Sequence, residues 1–180
     1  MSKNFSVPDP SPQLIKVAES AKEASLSLGQ STNEQRREAL TEMAKALNDK
    51  ADEILRANMQ DLERSEKEGL NKSLLSRLQL TKTKLKGCID GVLKVSDLAD
   101  PIGKRQLHRQ LDQNLILERG TVPLGVLGVI FESRPDALIQ IASLAVRSGN
   151  GALLKGGSEA KATNQAIMNS LDKGLSLIHI

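Results

Sequence analysis

The sequence has few of the aromatic residues that build nucleic-acid binding surfaces. It contains no tryptophan, no tyrosine and two phenylalanines among its 180 residues. Proteins that bind single-stranded nucleic acid stack the bases on aromatic side chains, so this class of function is disfavoured. The 25 basic and 22 acidic residues give a net charge of +3, which is too balanced to indicate a polyanionic partner by itself. We therefore expect no nucleic-acid partner.

Cysteine is nearly absent as well. Cys88 is the single cysteine, so an intrachain disulfide is excluded, and this fits a reducing compartment such as the cytoplasm. Cys88 falls inside a predicted helix, away from a helix N-terminus that would lower the thiol pKa, and we interpret it as structural. His108 has no companion at metal-binding spacing, so we expect no metal site. No apolar run reaches the roughly 18 residues of a membrane span, so we expect no membrane segment.

The first half of the chain has the pattern of amphipathic helices. Residues 1–10 are polar and rich in proline, and we predict that they form a flexible tail. Apolar residues then recur at helical spacing between residues 11 and 96, with Thr32 and Gln35 placed to form a capping box. The charged faces of these helices indicate contact with solvent rather than a binding surface.

The second half has a different pattern, which we interpret as strands and a βαβ unit over residues 111–171. Val126–Phe131 is apolar throughout, as expected for a strand buried on both faces in a parallel sheet. Pro135 suits the first turn of a helix, and the glycines after Arg147 can end that helix. Ala152–Leu154 is a second buried strand. Together these features predict an α/β fold.

Both predicted strands are followed by residues that can bind an anion. The first strand ends at Glu132-Ser133-Arg134, and the second ends at Lys155-Gly156-Gly157-Ser158-Glu159. The carboxyl ends of parallel strands meet at one edge of a sheet, where helix N-termini present free N–H groups. The cations and hydroxyls at this edge favour a phosphate-bearing ligand. On spacing alone, an equal alternative is that the glycines form a tight connection and that Lys155 is simply solvated.

The glycine fingerprint of ordinary dinucleotide-binding folds does not occur here. Its nearest match is Gly149-Asn150-Gly151, which has Leu154 at the third glycine position and precedes a strand instead of following one. This disfavours a Rossmann dehydrogenase of the ordinary type.

Three motifs nevertheless resemble a known family. They are PLGVLGVIFESRPD at Pro123–Asp136, LAVRSGNGALLKGGSEA at Leu144–Ala160 and, more weakly, ANMQDL at Ala57–Leu62. They are similar to motifs of the gamma-glutamyl phosphate reductases, also called glutamate-5-semialdehyde dehydrogenases. These enzymes occur alone or as the reductase part of pyrroline-5-carboxylate synthase. The resemblance runs from about Leu14 to about Leu171.

The resemblance implies an aldehyde dehydrogenase-like fold. Residues 11–174 would supply the N-terminal helices and the first βαβ portion of the cofactor-binding domain. It also implies NADPH-dependent reduction of L-glutamate 5-phosphate to glutamate 5-semialdehyde in proline biosynthesis, by an enzyme that is a homo-oligomer at full length. The strands expected near residues 115–122 lie close to the oligomerisation element of the family.

The resemblance assigns cofactor-binding roles to Lys155, Gly156, Gly157, Ser158 and Glu159. Lys155 matches the lysine that contacts the adenosine ribose, and its charge suits the 2′-phosphate of NADPH. Relatives often carry an acid three positions later for the ribose hydroxyls. Ser158 stands at that position, which leaves the role of Glu159 open.

The implied substrate site consists of Ser133 and Arg134. Most of the superfamily has an oxyanion-stabilising asparagine at the end of the first strand, where this chain carries Arg134. A guanidinium there can polarise the carbonyl or hold the leaving phosphate through two parallel hydrogen bonds. A structural ion pair is the alternative.

The catalytic cysteine of the family attacks the acyl carbon and forms a thioester. Cys88 does not match its motif, so we expect the nucleophile and the catalytic domain beyond residue 180 and an inactive chain when it is alone. Residues 175–180 read LSLIHI, which is also the translation of a transposon-end sequencing adapter, and we expect them to be non-native. Two other functions stay open: another acyl-phosphate or thioester reductase of the superfamily, and a non-enzymatic helical interaction module.

Overall fold

The structure is a computed structural model that describes residues 9–176. The α-helices are α1 (Pro12–Gln30), α2 (Asn33–Asp49), α3 (Ala51–Lys67), α4 (Lys72–Leu78), α5 (Lys82–Asp97), α6 (Pro135–Arg147) and α7 (Lys161–Ser176), with a 3₁₀ turn at Ser158–Ala160 before α7. The strands are β1 (Arg105–Asp112), β2 (Leu115–Gly120), β3 (Val126–Ile130) and β4 (Gly151–Lys155). Most of the predicted flexible tail, residues 1–8, lies outside the described residues, as do residues 177–180.

Side-chain caps begin most of the helices, as the sequence predicts. The capping box of α2 is confirmed, because the Thr32 hydroxyl accepts from the Gln35 N–H at 3.1 Å while the Thr32 N–H donates to Gln35 Oε1 at 2.8 Å. Thr81 caps α5 with its hydroxyl alone, which accepts from the Lys84 N–H at 3.2 Å. The long helical pattern between residues 33 and 67 is interrupted at Lys50, whose φ of −102° departs from helical geometry and separates α2 from α3.

The core lies between α2, α3, α5, α6 and α7. Its central apolar side chains are at most 2% exposed: Leu40, Met43, Leu47, Ile54, Leu85, Ile139, Ile167 and Leu171. The apolar side of α1 is largely uncovered. Leu14 and Val17 are about half exposed, although Leu28 near the end of the helix is buried. Among the described helices, none combines the length and the apolar character that a bilayer span requires.

The βαβ topology is confirmed, but the prediction that its first strand is buried on both faces is wrong. The residues of β3 are half-buried or exposed, and Ile130 is 81% exposed, because the described residues do not cover that side of the strand. Strands β3 and β4 pair in parallel, with Val126 opposite Gly151 and Ile130 opposite Lys155, and α6 connects them. Helix α1 crosses the start of β4 so closely that a Cβ on Gly151 would lie 2.9 Å from Ser25 Cβ. Gly149, at φ +69°, ends α6 in the left-handed conformation that the sequence anticipates at this position.

The first pair of strands corrects the predicted boundaries. Strand β1 begins at Arg105, whereas the sequence prediction began the strands at residue 111. Strands β1 and β2 form an antiparallel hairpin whose residues are all exposed. A strand exposed on both faces needs no alternation of apolar and polar residues, so β1 carries little of the usual signal.

Helix α7 runs across the boundary that we predicted after residue 174. Helix α7 continues through Ser176, so Leu175 and Ser176, which we assigned to the non-native tail, extend a regular helix. Leu175 is partly buried against the core. The origin of residues 175–180 stays a prediction.

Candidate functional site

The ends of β3 and β4 lie side by side at one edge of the sheet. Lys155, the last residue of β4, pairs with Ile130, the last residue of β3. The ladder continues one step further, because the Phe131 N–H donates to the Lys155 carbonyl at 3.1 Å. The turn after β3 leads into the N-terminus of α6, and the turn after β4 leads into the 3₁₀ turn and α7. The two predicted binding segments therefore leave the sheet at the same edge.

A carboxylate joins the two turns. Glu159, from the turn after β4, accepts a hydrogen bond from the Ser133 hydroxyl at 3.0 Å and a shorter one from the Ser133 N–H at 2.5 Å. Ser133 is 1% exposed and has a φ of +48°, which is an uncommon conformation for a residue other than glycine. The sequence singled out both residues and gave no reason to expect contact between them.

The two cations of the site are exposed. The Arg134 side chain is 54% exposed, and its Nη2 donates to Asp136 Oδ2 at 3.2 Å. Lys155 is also exposed, and its Nζ lies 3.5 Å from the Gly156 carbonyl oxygen. Both side chains belong to segments that leave the same edge of the sheet. Their roles toward substrate and cofactor stay predictions.

A cleft of about 660 Å³ lies beside the end of β4. Residues of the β4–α7 turn line it together with Phe131, Lys161 and Asn164. The Asn164 Oδ1 atom is buried and has no hydrogen-bond partner among residues 9–176. An unsatisfied buried acceptor next to a cationic turn is the kind of group that a polar ligand satisfies.

A side chain at either glycine of the turn would displace a polar side chain of the protein. A Cβ on Gly156 would lie 2.3 Å from Asn164 Nδ2, and a Cβ on Gly157 would lie 2.2 Å from either carboxylate oxygen of Glu159. Glycines can give a ligand close access to the backbone. In the structure, polar side chains of the protein itself approach them.

Helix α3 holds the turn between β4 and α7 in place. The sequence did not predict this role. The Asp61 carboxylate accepts from the Thr163 N–H and hydroxyl, each at 2.7 Å, and so fixes the start of α7. Arg64 Nη2 donates to the carbonyls of Ser158 and Glu159, each at 3.0 Å. Asp61 belongs to the ANMQDL motif. This motif is the sequence feature that could have indicated a role for α3 in the site.

Several groups act on the ionisation of Glu159. Partial burial opposes the charged form, but the N–H groups of Glu159 and Ser133, the Ser133 hydroxyl and the nearby Lys155 charge outweigh it and lower the pKa of the Glu159 carboxyl. The side chain is therefore a carboxylate at neutral pH.

Cys88 lies in another cleft, of about 460 Å³, between α5 and α6. Burial raises the pKa of the Cys88 thiol, and the Asp136 carboxylate raises it further, against a smaller opposing effect of Lys84. A thiol with a raised pKa is a poor nucleophile at neutral pH, which fits the structural role predicted from the sequence.

The fold has known counterparts. No protein-family model matches the chain. A NAD-dependent benzaldehyde dehydrogenase of Corynebacterium glutamicum superposes on 87% of the chain and 32% of its own length, with a TM-score of 0.66 at 15% sequence identity. At that identity the likeness concerns the fold alone, which is aldehyde dehydrogenase-like.

Comparisons at higher sequence identity show the family. A gamma-glutamyl phosphate reductase of Prochlorococcus marinus is 90% identical over 97% of the chain. The gamma-glutamyl phosphate reductase of Saccharomyces cerevisiae superposes on 90% of the chain and 41% of its own, with a TM-score of 0.87 at 38% identity. The chain belongs to the gamma-glutamyl phosphate reductase family, and it spans 40% of the length of the Prochlorococcus relative.

Proposed function

We propose that this chain supplies part of the ligand-binding edge of an enzyme that reduces L-glutamate 5-phosphate to glutamate 5-semialdehyde with NADPH, in proline biosynthesis. The observation that carries the proposal is the pairing of the β3 and β4 ends. It places Arg134 and Lys155 on two segments that leave one sheet edge. The names of the relatives supply the substrate class, and the two cations supply a physical reason for a phosphorylated substrate and a phosphorylated cofactor.

Arg134 is the residue we assign to the acyl phosphate. Its guanidinium is half exposed and contacts Asp136 at 3.2 Å, so it can reach a ligand without leaving a buried partner. A planar guanidinium can hold a phosphate through two parallel hydrogen bonds or stabilise negative charge that develops on the carbonyl oxygen. The neighbouring Ser133 hydroxyl already donates to Glu159, which makes it a less available donor for substrate.

The cofactor side of the proposal rests on the cleft beside β4. The residues fit a nicotinamide dinucleotide, because the exposed Lys155 offers a cation for its phosphates and the buried Asn164 Oδ1 needs a donor. When bound, the cofactor supplies the hydride for the reduction. A positive charge at residue 155 favours a ribose 2′-phosphate, which is our reason for proposing NADPH over NADH.

We further propose that the complete enzyme is a homo-oligomer that uses the β1–β2 hairpin as a contact element. The hairpin is exposed along both strands, and its apolar residues are between 37% and 56% exposed: Leu107, Leu111, Leu115, Ile116 and Leu117. Exposed apolar residues grouped on one element are typical of an interface. A cytoplasmic location remains a prediction from the single cysteine.

A full-length chimera tests the proposal. Residues 9–176 of this chain replace the matching part of the Prochlorococcus relative, and NADPH oxidation is measured with glutamyl phosphate and with other acyl phosphates. We expect turnover that is selective for glutamyl phosphate.

Replacing Arg134 with Lys should lower kcat roughly tenfold or more, because a point charge cannot reproduce the planar donor set. Unchanged kinetics would assign Arg134 to its ion pair with Asp136 instead. The chain alone should show no turnover.

A further inference from the structure

The family resemblance places Glu159 in the cofactor-binding turn without defining its role, yet Glu159 makes the contacts that join the turns after β3 and β4. Glu159 belongs to the turn after β4, residues 156–159, which we call the cofactor-side turn. Both of its hydrogen bonds with Ser133 reach the turn after β3, residues 131–134, which we call the substrate-side turn. Its place in the structure thus calls for a role of its own.

The substrate-side turn needs this contact. Ser133 holds a left-handed backbone conformation, which costs conformational free energy for a residue with a Cβ and persists where the surroundings fix it. Two donors of Ser133, its N–H and its hydroxyl, both end on Glu159 Oε1. Arg134 is the next residue in the chain, so the direction in which its side chain leaves the backbone depends on the conformation of Ser133.

The cofactor-side turn is built to present the carboxylate. Arg64, itself paired with the buried Asp61 at 2.7 Å, holds the carbonyls of Ser158 and Glu159. The missing side chain of Gly157 leaves the space that the carboxylate fills, since a Cβ there would lie 2.2 Å from both oxygens. The backbone at Glu159 is therefore held by Arg64 independently of Ser133, and the carboxylate extends from it to Ser133.

We propose that Glu159 is a positioning residue that fixes Ser133 and thereby aims Arg134 at the substrate, so that the cofactor-binding turn sets the geometry of the substrate-binding turn. This inference rests on the proposed reductase function. It differs from a ribose-binding role, because a residue that only binds cofactor would affect the KM for NADPH and leave the turnover of the saturated enzyme unchanged.

The kinetic test uses the full-length chimera. Glu159→Ala should lower kcat at saturating NADPH roughly tenfold or more, because a misplacement of about 1 Å at a reacting group can cost about a hundredfold. Glu159→Gln keeps an oxygen that can accept both Ser133 bonds, and kcat should stay within about threefold of the unmodified chimera. Gly157→Ala adds a Cβ where the carboxylate lies and should reproduce the loss seen in Glu159→Ala. Glu38→Ala, an exposed change on α2, is the matched control and should leave kcat unchanged.

A second measurement keeps the inference testable if a variant fails to fold or the chimera lacks reductase activity. The Ser133 amide should exchange slowly with deuterium in the unmodified chimera, although it lies in a turn, and faster in Glu159→Ala than in Glu159→Gln. Fast exchange in the unmodified chimera would overturn the inference. So would a raised KM for NADPH at unchanged kcat in Glu159→Ala. Slow exchange in a chimera without turnover would instead contradict the proposed function alone.

Discussion

The helical and strand regions of this chain differ sharply in how completely they are covered. In the helices, Leu40, Ile54 and Ile167 are fully buried. In the strand region, Ile116 is 56% exposed and Ile130 is 81% exposed. Helices α2, α3, α5, α6 and α7 thus form most of the core, with Phe131 and Leu154 packed against it, while the strands also present side chains that the described residues do not cover. This difference fits our proposal, in which the helices are the scaffold and the strands and their ends contact ligands and other protein surfaces.

The largest expected effect is the loss of stability when an apolar side chain of the helical region is shortened to alanine. The same type of change in the strand region should have little effect. Leu40→Ala should lower the free energy of unfolding by about 2–5 kcal/mol, because it leaves a cavity in a closed core. Ile116→Ala should change it by less than about 0.5 kcal/mol, since its side chain is mostly in solvent. Urea unfolding of the chain measures both values. Equal losses would show that the hairpin contributes to the core.

A smaller effect is expected at the end of the helical region. Arg36 is 2% exposed and pairs with Asp100 through Nη2 at 2.8 Å, so Asp100→Ala leaves a buried cation without its carboxylate. Because Asp100 is itself 32% exposed, we expect a loss of about 1.5–3 kcal/mol. The matched control is Asp97→Ala, which removes the exposed partner of Arg37 and should cost less than about 1 kcal/mol. Similar losses in urea unfolding for both variants would contradict the importance of the buried pair.

The smallest expected effect is a local loss of stability at the strand ends as pH falls. The groups around Glu159, including Lys155, lower the pKa of its carboxyl below the ordinary value, and Arg64 holds its backbone. The stabilisation from a lowered pKa is complete above the ordinary carboxyl pKa and is lost as pH falls through the folded value. Hydrogen-exchange protection of residues 131–134, corrected for intrinsic rates, should therefore fall in acid before that of α2. Simultaneous loss in both segments would contradict a local effect.

Local patterns predicted much of the fold. The capping box at Thr32, the helix that starts at Pro135 and the parallel strands on either side of it all follow from neighbouring residues in the chain. Strand β1 was missed because exposure on both faces removes the alternation that identifies a strand. The uncovered face of α1 could not be foreseen, since an apolar stripe predicts burial without saying which surface provides it.

The candidate site was predictable in its residues and not in its contacts. The strand-end positions of Arg134 and Lys155 follow from the βαβ pattern. The bond between Ser133 and Glu159 depends on a left-handed backbone and on the course of two separate turns, and no sequence spacing encodes these. The support from Asp61 and Arg64 comes from a helix about a hundred residues earlier in the chain, so only the ANMQDL motif pointed to it.

The most direct test of the account is the cofactor preference of the full-length chimera, measured as the ratio of kcat/KM for NADPH to that for NADH. Lys155→Met removes the charge and keeps an unbranched side chain. If Lys155 binds the 2′-phosphate from the shared strand edge, losing a hydrogen bond to a charged group worth about 1.5–3 kcal/mol should lower this ratio roughly 10- to 150-fold. An unchanged ratio would contradict the claim that the ends of β3 and β4 form one phosphate-binding site.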